Sequence, residues 1–278
     1  MNLLVDIYNF IAFEAETPTS YDAYHFMWVV IVLLTTVFLL CAFKNLSDKG
    51  VRKLAGFLWA TMTVMEIIKQ LIFSLSVEGN SLVWDYAWYS FPFQFCASPL
   101  YILPFVAFAK DGKLRDAAIT FISTFSLFAG ICVYVFPNDV FTSSVFVSAQ
   151  AMFHHGVQVF FGIYLAFRYR EKMHFNNLIK ATAIFTSLAG IAMVLNLTVH
   201  HFFTIYGIDD TFNMFFISPY YDCTLPVLSV VYDNVPYVAF LLIYILGFML
   251  CAGLVMLIMK GLVKLTKYDE NSQISSNR

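Results

Sequence analysis

Fifteen of the sixteen Lys and Arg residues fall into four short clusters separated by long apolar segments, and the connections at the other ends of those segments carry only acids. The clusters are Lys44/Lys49/Arg52/Lys53, Lys110/Lys113/Arg115, Arg168/Arg170/Lys172/Lys180 and Lys260/Lys264/Lys267/Arg278. Between them come Asp6, Glu14, Glu16 and Asp22, then Glu78 and Asp85, then Asp139, then Asp209, Asp210, Asp222 and Asp233. A water-soluble globule has no reason to sort its charges in this order. A chain threaded back and forth through a bilayer has one, because basic connections are retained on the cytoplasmic side.

Composition agrees, since 60% hydrophobic residues and 12% charged ones leave too little polar surface to cover a soluble domain of 278 residues. Segments long enough for a hydrocarbon core, which takes about 20 residues, fall near 25–43, 54–76, 91–109, 116–136, 146–167, 179–204 and 235–259. The expected fold is therefore an all-α polytopic membrane bundle of seven transmembrane helices, amino terminus outside and carboxyl terminus inside. Residues 1–24 are expected to form an external segment, interfacial or re-entrant; 25–260 the membrane domain; and 261–278 a cytoplasmic tail, disordered from Tyr268 onward. Met1 to Phe13 lack a basic start and contain Asp6, so they do not read as a cleaved signal peptide. The connection Ile205–Asn234 is acidic but rich in Phe and Tyr, which suits a loop packed on the outer interface or capping a cavity. Membrane lipids are the expected partners, in an integral multi-pass protein of a bacterial plasma membrane. There is no nucleic-acid footprint, and no cofactor or metal ligand set is expected.

Against this apolar background a few polar side chains stand out, because ionisable groups inside a membrane are costly and usually functional. The second segment holds Glu66 and Lys69, three residues apart and so on one helix face, followed by Gln70. The third reads Phe91-Pro92-Phe93-Gln94-Phe95-Cys96-Ala97-Ser98-Pro99. Pro99 lacks an amide hydrogen, so the Phe95 carbonyl one turn back is expected to lose its partner beside the Cys96 thiol. The fifth holds Gln150, His154, His155 and Gln158; at 100° per residue, 150, 154 and 158 form one stripe and 151, 155 and 158 its neighbour. The sixth adds Asn196. Counted from the ends of their segments at 1.5 Å per residue, Lys69, Cys96, His155 and Asn196 lie roughly 10 to 15 Å below the outer surface, with Glu66 slightly deeper. A thiol, an imidazole, a carboxylate, an ammonium and amides in one layer suffice for acyl transfer. Position alone does not separate His154 from His155.

The run Phe91-Pro92-Phe93-Gln94-Phe95-Cys96, the His155-Gly156 pair, Glu66, and the stretch from Asn196 through Ser218-Pro219 to Pro236-Tyr237 resemble the YwaF-type bacterial integral membrane family. That family is similar to the animal transmembrane protein 164 family of phospholipid acyltransferases. The likeness spans about Trp59 to Tyr244. It implies Cys96 as nucleophile and His155 as its catalytic partner, in a lipid acyltransferase or hydrolase opening toward the outer leaflet. Glu66 is then the third catalytic group, and Lys69, Gln94, His154, Gln158 and Asn196 are candidates for substrate binding.

Other classes lose ground by what is missing. The seventh segment has no lysine for a retinal Schiff base, and no Gly-x-Ser-x-Gly or His-Glu-x-x-His occurs. The competing expectation is a small-solute transporter or permease-like binding protein, in which Glu66, Lys69, His155 and Asn196 bind a polar solute and Cys96 is incidental. Proline-broken segments fit that class; the lack of repeat symmetry does not.

Overall fold

The computed structural model describes residues 2–137 and 140–276; Met1, Asp139 and Arg278, placed on named sides above, lie outside the described residues. Its helices are α1 (Leu3–Ile11), α2 (Ala23–Ala42), α3 (Asp48–Ile72), α4 (Pro99–Phe108), α5 (Lys113–Val135), α6 (Val145–Arg168), α7 (Phe175–Tyr206), α8 (Leu228–Asn234) and α9 (Tyr237–Ser276). Most begin or end where the side chains dictate. Asn2, Asp22, Ser47 and Ser144 accept hydrogen bonds from the first-turn amides of α1, α2, α3 and α6, which would otherwise be left unpaired. Gly207 ends α7 with φ 63°, a left-handed geometry that costs glycine little.

Among the described residues, five helices are long and apolar enough to cross a membrane: α2, α3, α5, α7 and the Tyr237–Thr266 part of α9. The other two expected segments differ. Residues 91–98 are irregular, so the apolar stretch there contains only the 10-residue α4. Helix α6 is 24 residues long but carries Ser148, Gln150, His154, His155 and Gln158, all buried because the other helices enclose it. Lipid-type exposure falls instead on α2 and α9, where Leu33, Leu34, Phe38, Leu246, Leu250 and Leu257 face outward.

One departure from expectation is local. A two-stranded antiparallel hairpin, β1 (Leu75–Glu78) and β2 (Ser81–Trp84), interrupts the all-α plan, turning at Gly79 with φ 62°. Helix α9 runs past the Tyr237–Thr266 part that is long and apolar enough to cross a membrane. All five cysteines are free, and Cys41 is exposed.

The segregated charges gather at two ends. At the acidic end, the Tyr8 hydroxyl donates to the Ile72 and Leu75 carbonyls, Glu14 bridges to Ser144, and the Trp88 amide donates to Asp210. At the basic end Arg115, 2% exposed, donates to Val106 O, Asp111, Asp48 and the Tyr169 hydroxyl at 2.8 to 3.1 Å. Tyr169 in turn donates to Asp48, and burial lifts its own hydroxyl to about 12, so it stays a neutral donor. Arg115→Met is expected to lower stability by about 1 to 3 kcal/mol, because the charge-assisted bonds to Asp48 and Asp111 and the bonds to Val106 O and the Tyr169 hydroxyl are lost together. Thermal unfolding of the purified protein in one detergent reads this directly.

Small residues let helices approach the polar centre. A Cβ on Gly130 would sit 2.8 Å from Gln158 Cβ and 2.9 Å from the His155 carbonyl oxygen. Gly130→Val is therefore expected to cost about 1 to 3 kcal/mol by overpacking, visible as a lower unfolding temperature.

Candidate active site

The Cys96 turn is irregular because prolines bracket it. Gln94 is extended, Phe95–Ala97 form one 3₁₀ turn, and Pro99 is the first residue of α4, where a missing amide hydrogen costs nothing. This corrects the expectation for Phe95. Its carbonyl accepts from the Ser98 amide at 3.1 Å, and the carbonyl given over to side chains is that of Cys96 itself. His154 Nε2 lies 2.9 Å and Gln158 Nε2 2.8 Å from it. These two residues are one helical turn apart on α6, so a single face of the central helix grips the turn. The anchoring contacts are made by the Cys96 backbone, not by its thiol.

The same bonds set the imidazole tautomers, since a carbonyl oxygen only accepts. His154 donates through Nε2 and keeps its lone pair on Nδ1. His155 Nδ1 lies 2.7 Å from the Ala151 carbonyl, which places its lone pair on Nε2. Among the described residues both lone-pair nitrogens are buried with no hydrogen-bond partner, as are Gln158 Oε1 and the Ser98 hydroxyl. The two rings lie 5.7 Å apart in an edge arrangement. Of the two histidines, His154 is the one whose ring meets the Cys96 backbone.

Helix α3 supplies the charge. Glu66, 6% exposed, accepts from Lys69 at 3.0 Å, Gln70 at 2.9 Å and Gln150 of α6 at 3.1 Å. Gln70 also donates to the Ser90 carbonyl and accepts from the Tyr86 hydroxyl, each at 2.9 Å, which ties the carboxylate to the strand leading into the Cys96 turn. Among the described residues no hydrogen bond joins Glu66 to either imidazole; its counter-charge is Lys69.

Gln94 and Asn196 are placed otherwise. Gln94 donates to Asn213 O at 3.0 Å and accepts from Phe215 N at 2.8 Å. Asn196 donates to Met214 O at 3.0 Å and accepts from Met214 N at 2.7 Å. Both amides are thus spent on the 213–217 segment, which dips back into the bundle with Phe215 and Phe216 at φ 59° and 56°. Tyr244 donates to Phe215 O at 2.8 Å and Tyr237 to Ile217 O. Phe215 packs against Phe93, Phe95 and Phe185 with tilted rings, so the aromatic connection between α7 and α9 forms an internal plug beside the Cys96 turn.

Sequence reasoning passed over Tyr86, Ser90, Asn213 and Tyr244, whose roles arise from tertiary contacts that no local pattern signals. It also passed over a π-helical stretch in α5, Ile122–Ser126, where the buried Ser123 and Ser126 hydroxyls have no partner among the described residues; such stretches cluster at functional sites. Among the described residues no group of three His, Cys, Asp or Glu could hold a metal ion. Two surface pockets, of about 370 and 450 Å³, lie at opposite ends of the bundle and do not include Cys96.

A model of the TMEM164 family matches residues 19–260, a span that includes every member of this polar cluster. No curated protein matches the chain, and no solved structure does.

Proposed function

This chain belongs to the TMEM164 family, and on that premise we propose that it is a membrane-embedded lipid acyltransferase or hydrolase with Cys96 as nucleophile and His155 as general base. The single observation that carries this reading is the convergence on the Cys96 turn: α6 grips its carbonyl through His154 and Gln158, and the same helix holds Glu66 of α3 through Gln150. In this reading the seven apolar segments all span the membrane, with the acidic end outside, the basic end in the cytoplasm of a bacterial cell and the site opening toward the outer leaflet.

The chemistry follows from the groups present. His155 Nε2, with its lone pair held free by the Nδ1 bond to Ala151, takes the thiol proton of Cys96. The thiolate attacks the ester carbonyl of a phospholipid chain, the acyl C–O bond breaks, and the imidazolium returns the proton to the departing lysophospholipid oxygen. The resulting thioester is resolved by the hydroxyl of a second lysophospholipid or by water, whose proton passes to His155 and then to the leaving thiolate. His154 and Gln158 hold the nucleophile's turn in place. Lys69 supplies positive charge for the thiolate or for a headgroup phosphate, and Glu66 fixes Lys69. Gln94 and Asn196 act at one remove, by seating the plug that keeps water from the thiol.

The test is chemical. Protein reconstituted in phospholipid vesicles and quenched in acid should carry a fatty acyl group on the Cys96-containing peptide, detected by mass spectrometry and removed by neutral hydroxylamine. Absence of any acyl adduct at Cys96 under turnover would end the covalent mechanism.

A further inference from the structure

At the basic end, away from Cys96, a pocket of about 450 Å³ opens between the end of α6 and α9. Its rim carries Arg170, Lys260 and Lys264, with Glu171 as the sole acid. Its floor is apolar: Met173, Met259 and Val263 are 3%, 4% and 8% exposed. Nearby cations are consumed by the protein, Arg52 and Arg115 by Asp48 and Asp111 and Lys172 by Asp116. Arg170, Lys260 and Lys264 are exposed and have no ion-pair partner among the described residues. Three unspent cations thus surround an apolar cleft, and Glu171 leaves an excess of positive charge.

We infer that this cleft binds the phosphate headgroup of an anionic phospholipid. The shared chemistry is a phosphate oxygen cluster taking charge-assisted hydrogen bonds from guanidinium and ammonium groups. A lipid is favoured over free phosphate by what flanks the rim. Leu257, Ile258, Leu262 and Leu265 of α9 are 45–64% exposed on the turns that carry Lys260 and Lys264, so acyl chains have an apolar surface to lie on directly beside the cations. Basic pockets between membrane helices are a recurrent form of anionic lipid recognition.

The experiment is native mass spectrometry of the full chain released from mixed micelles doped with phosphatidylglycerol, phosphatidylethanolamine, phosphatidylcholine or inorganic phosphate. Wild type should retain one phosphatidylglycerol in preference to either zwitterionic lipid. Arg170→Gln/Lys260→Gln/Lys264→Gln should weaken that retention on the order of a hundredfold, at about fivefold per cation near a membrane surface. Lys44→Gln/Lys49→Gln/Lys113→Gln removes the same charge outside the pocket and should leave retention within a factor of two or three. A matching unfolding temperature in phosphatidylcholine micelles certifies that both variants are folded. Equal retention of zwitterionic lipid, an equal loss in the second variant, or saturation by inorganic phosphate alone would each overturn the assignment. None of these outcomes bears on Cys96, so the site stands or falls separately from the acyl-transfer reading.

Discussion

Cys96→Ala is expected to abolish acyl transfer while leaving the fold intact, a loss on the order of 10³ to 10⁶ in kcat, the range seen when a covalent nucleophile is removed. The size of the effect comes from chemistry, because without sulfur there is no thioester and the reaction loses its two-step path. Survival of the fold comes from geometry. The bonds that hold this turn against α6 end on the Cys96 carbonyl, and an alanine keeps that carbonyl in place. Cys96→Ser should restore the side-chain size and a weaker nucleophile, recovering at most a small fraction of the rate. Release of labelled fatty acid, or its transfer to a labelled lysophospholipid, measures both variants against unfolding temperature. Full activity in Cys96→Ala would return the site to the transporter reading, where the thiol is incidental, and a solute-uptake assay would then be the informative measurement.

How much of this was legible beforehand depends on whether a feature is local in the chain. Charge segregation is read residue by residue, and local contacts follow it, Arg115 meeting Asp48 among the basic clusters and the Trp88 amide meeting Asp210 among the acidic connections. The stripe Gln150–His154–Gln158 was visible because side chains four apart share a helix face, and its members do point to Glu66 and Cys96. Pro99 was read correctly as a break but in the wrong register. As an interior proline it frees the carbonyl of Phe95; as the first helical residue it leaves that of Cys96 to α6. The hairpin had a signal, apolar and polar residues alternating over Leu75–Glu78 ahead of the turn residues Gly79-Asn80, which a search for long spans passes over. Gln94 and Asn196 were illegible in a stricter sense. Their partners at 213–215 lie 18 residues away from Asn196 and 119 to 121 from Gln94, and nothing in either segment announces the other. An amide inside a membrane reads the same whether it meets substrate or a plugging loop.

The two histidines should fail in different ways, and the contrast assigns their roles. His155→Ala removes the nitrogen that takes the thiol proton, so kcat should fall about 10²- to 10⁴-fold, the usual contribution of a general base. His155→Gln should be no better, since an amide accepts hydrogen bonds but does not take up a proton near neutral pH. His154 has another task. Its Nε2–H is given to the Cys96 carbonyl, so His154→Ala leaves Gln158 as the one side chain on that oxygen and lets the nucleophile drift. Misplacement of a reacting atom by about 1 Å costs on the order of 10²-fold. An amide can replace the lost donor, so His154→Gln should recover much of that loss, and its pH–rate profile should keep the wild-type limb. Substrate structure sharpens the distinction, because a more activated ester with a better leaving group needs less proton transfer and should partly rescue His155→Ala but not His154→Ala. The reverse pattern, with activity retained in His155→Ala and none in either His154 variant, would move the base to His154 Nδ1. Among the described residues that nitrogen is as buried and as free of partners as His155 Nε2, and both rings are carried by α6, the helix that holds the Cys96 turn.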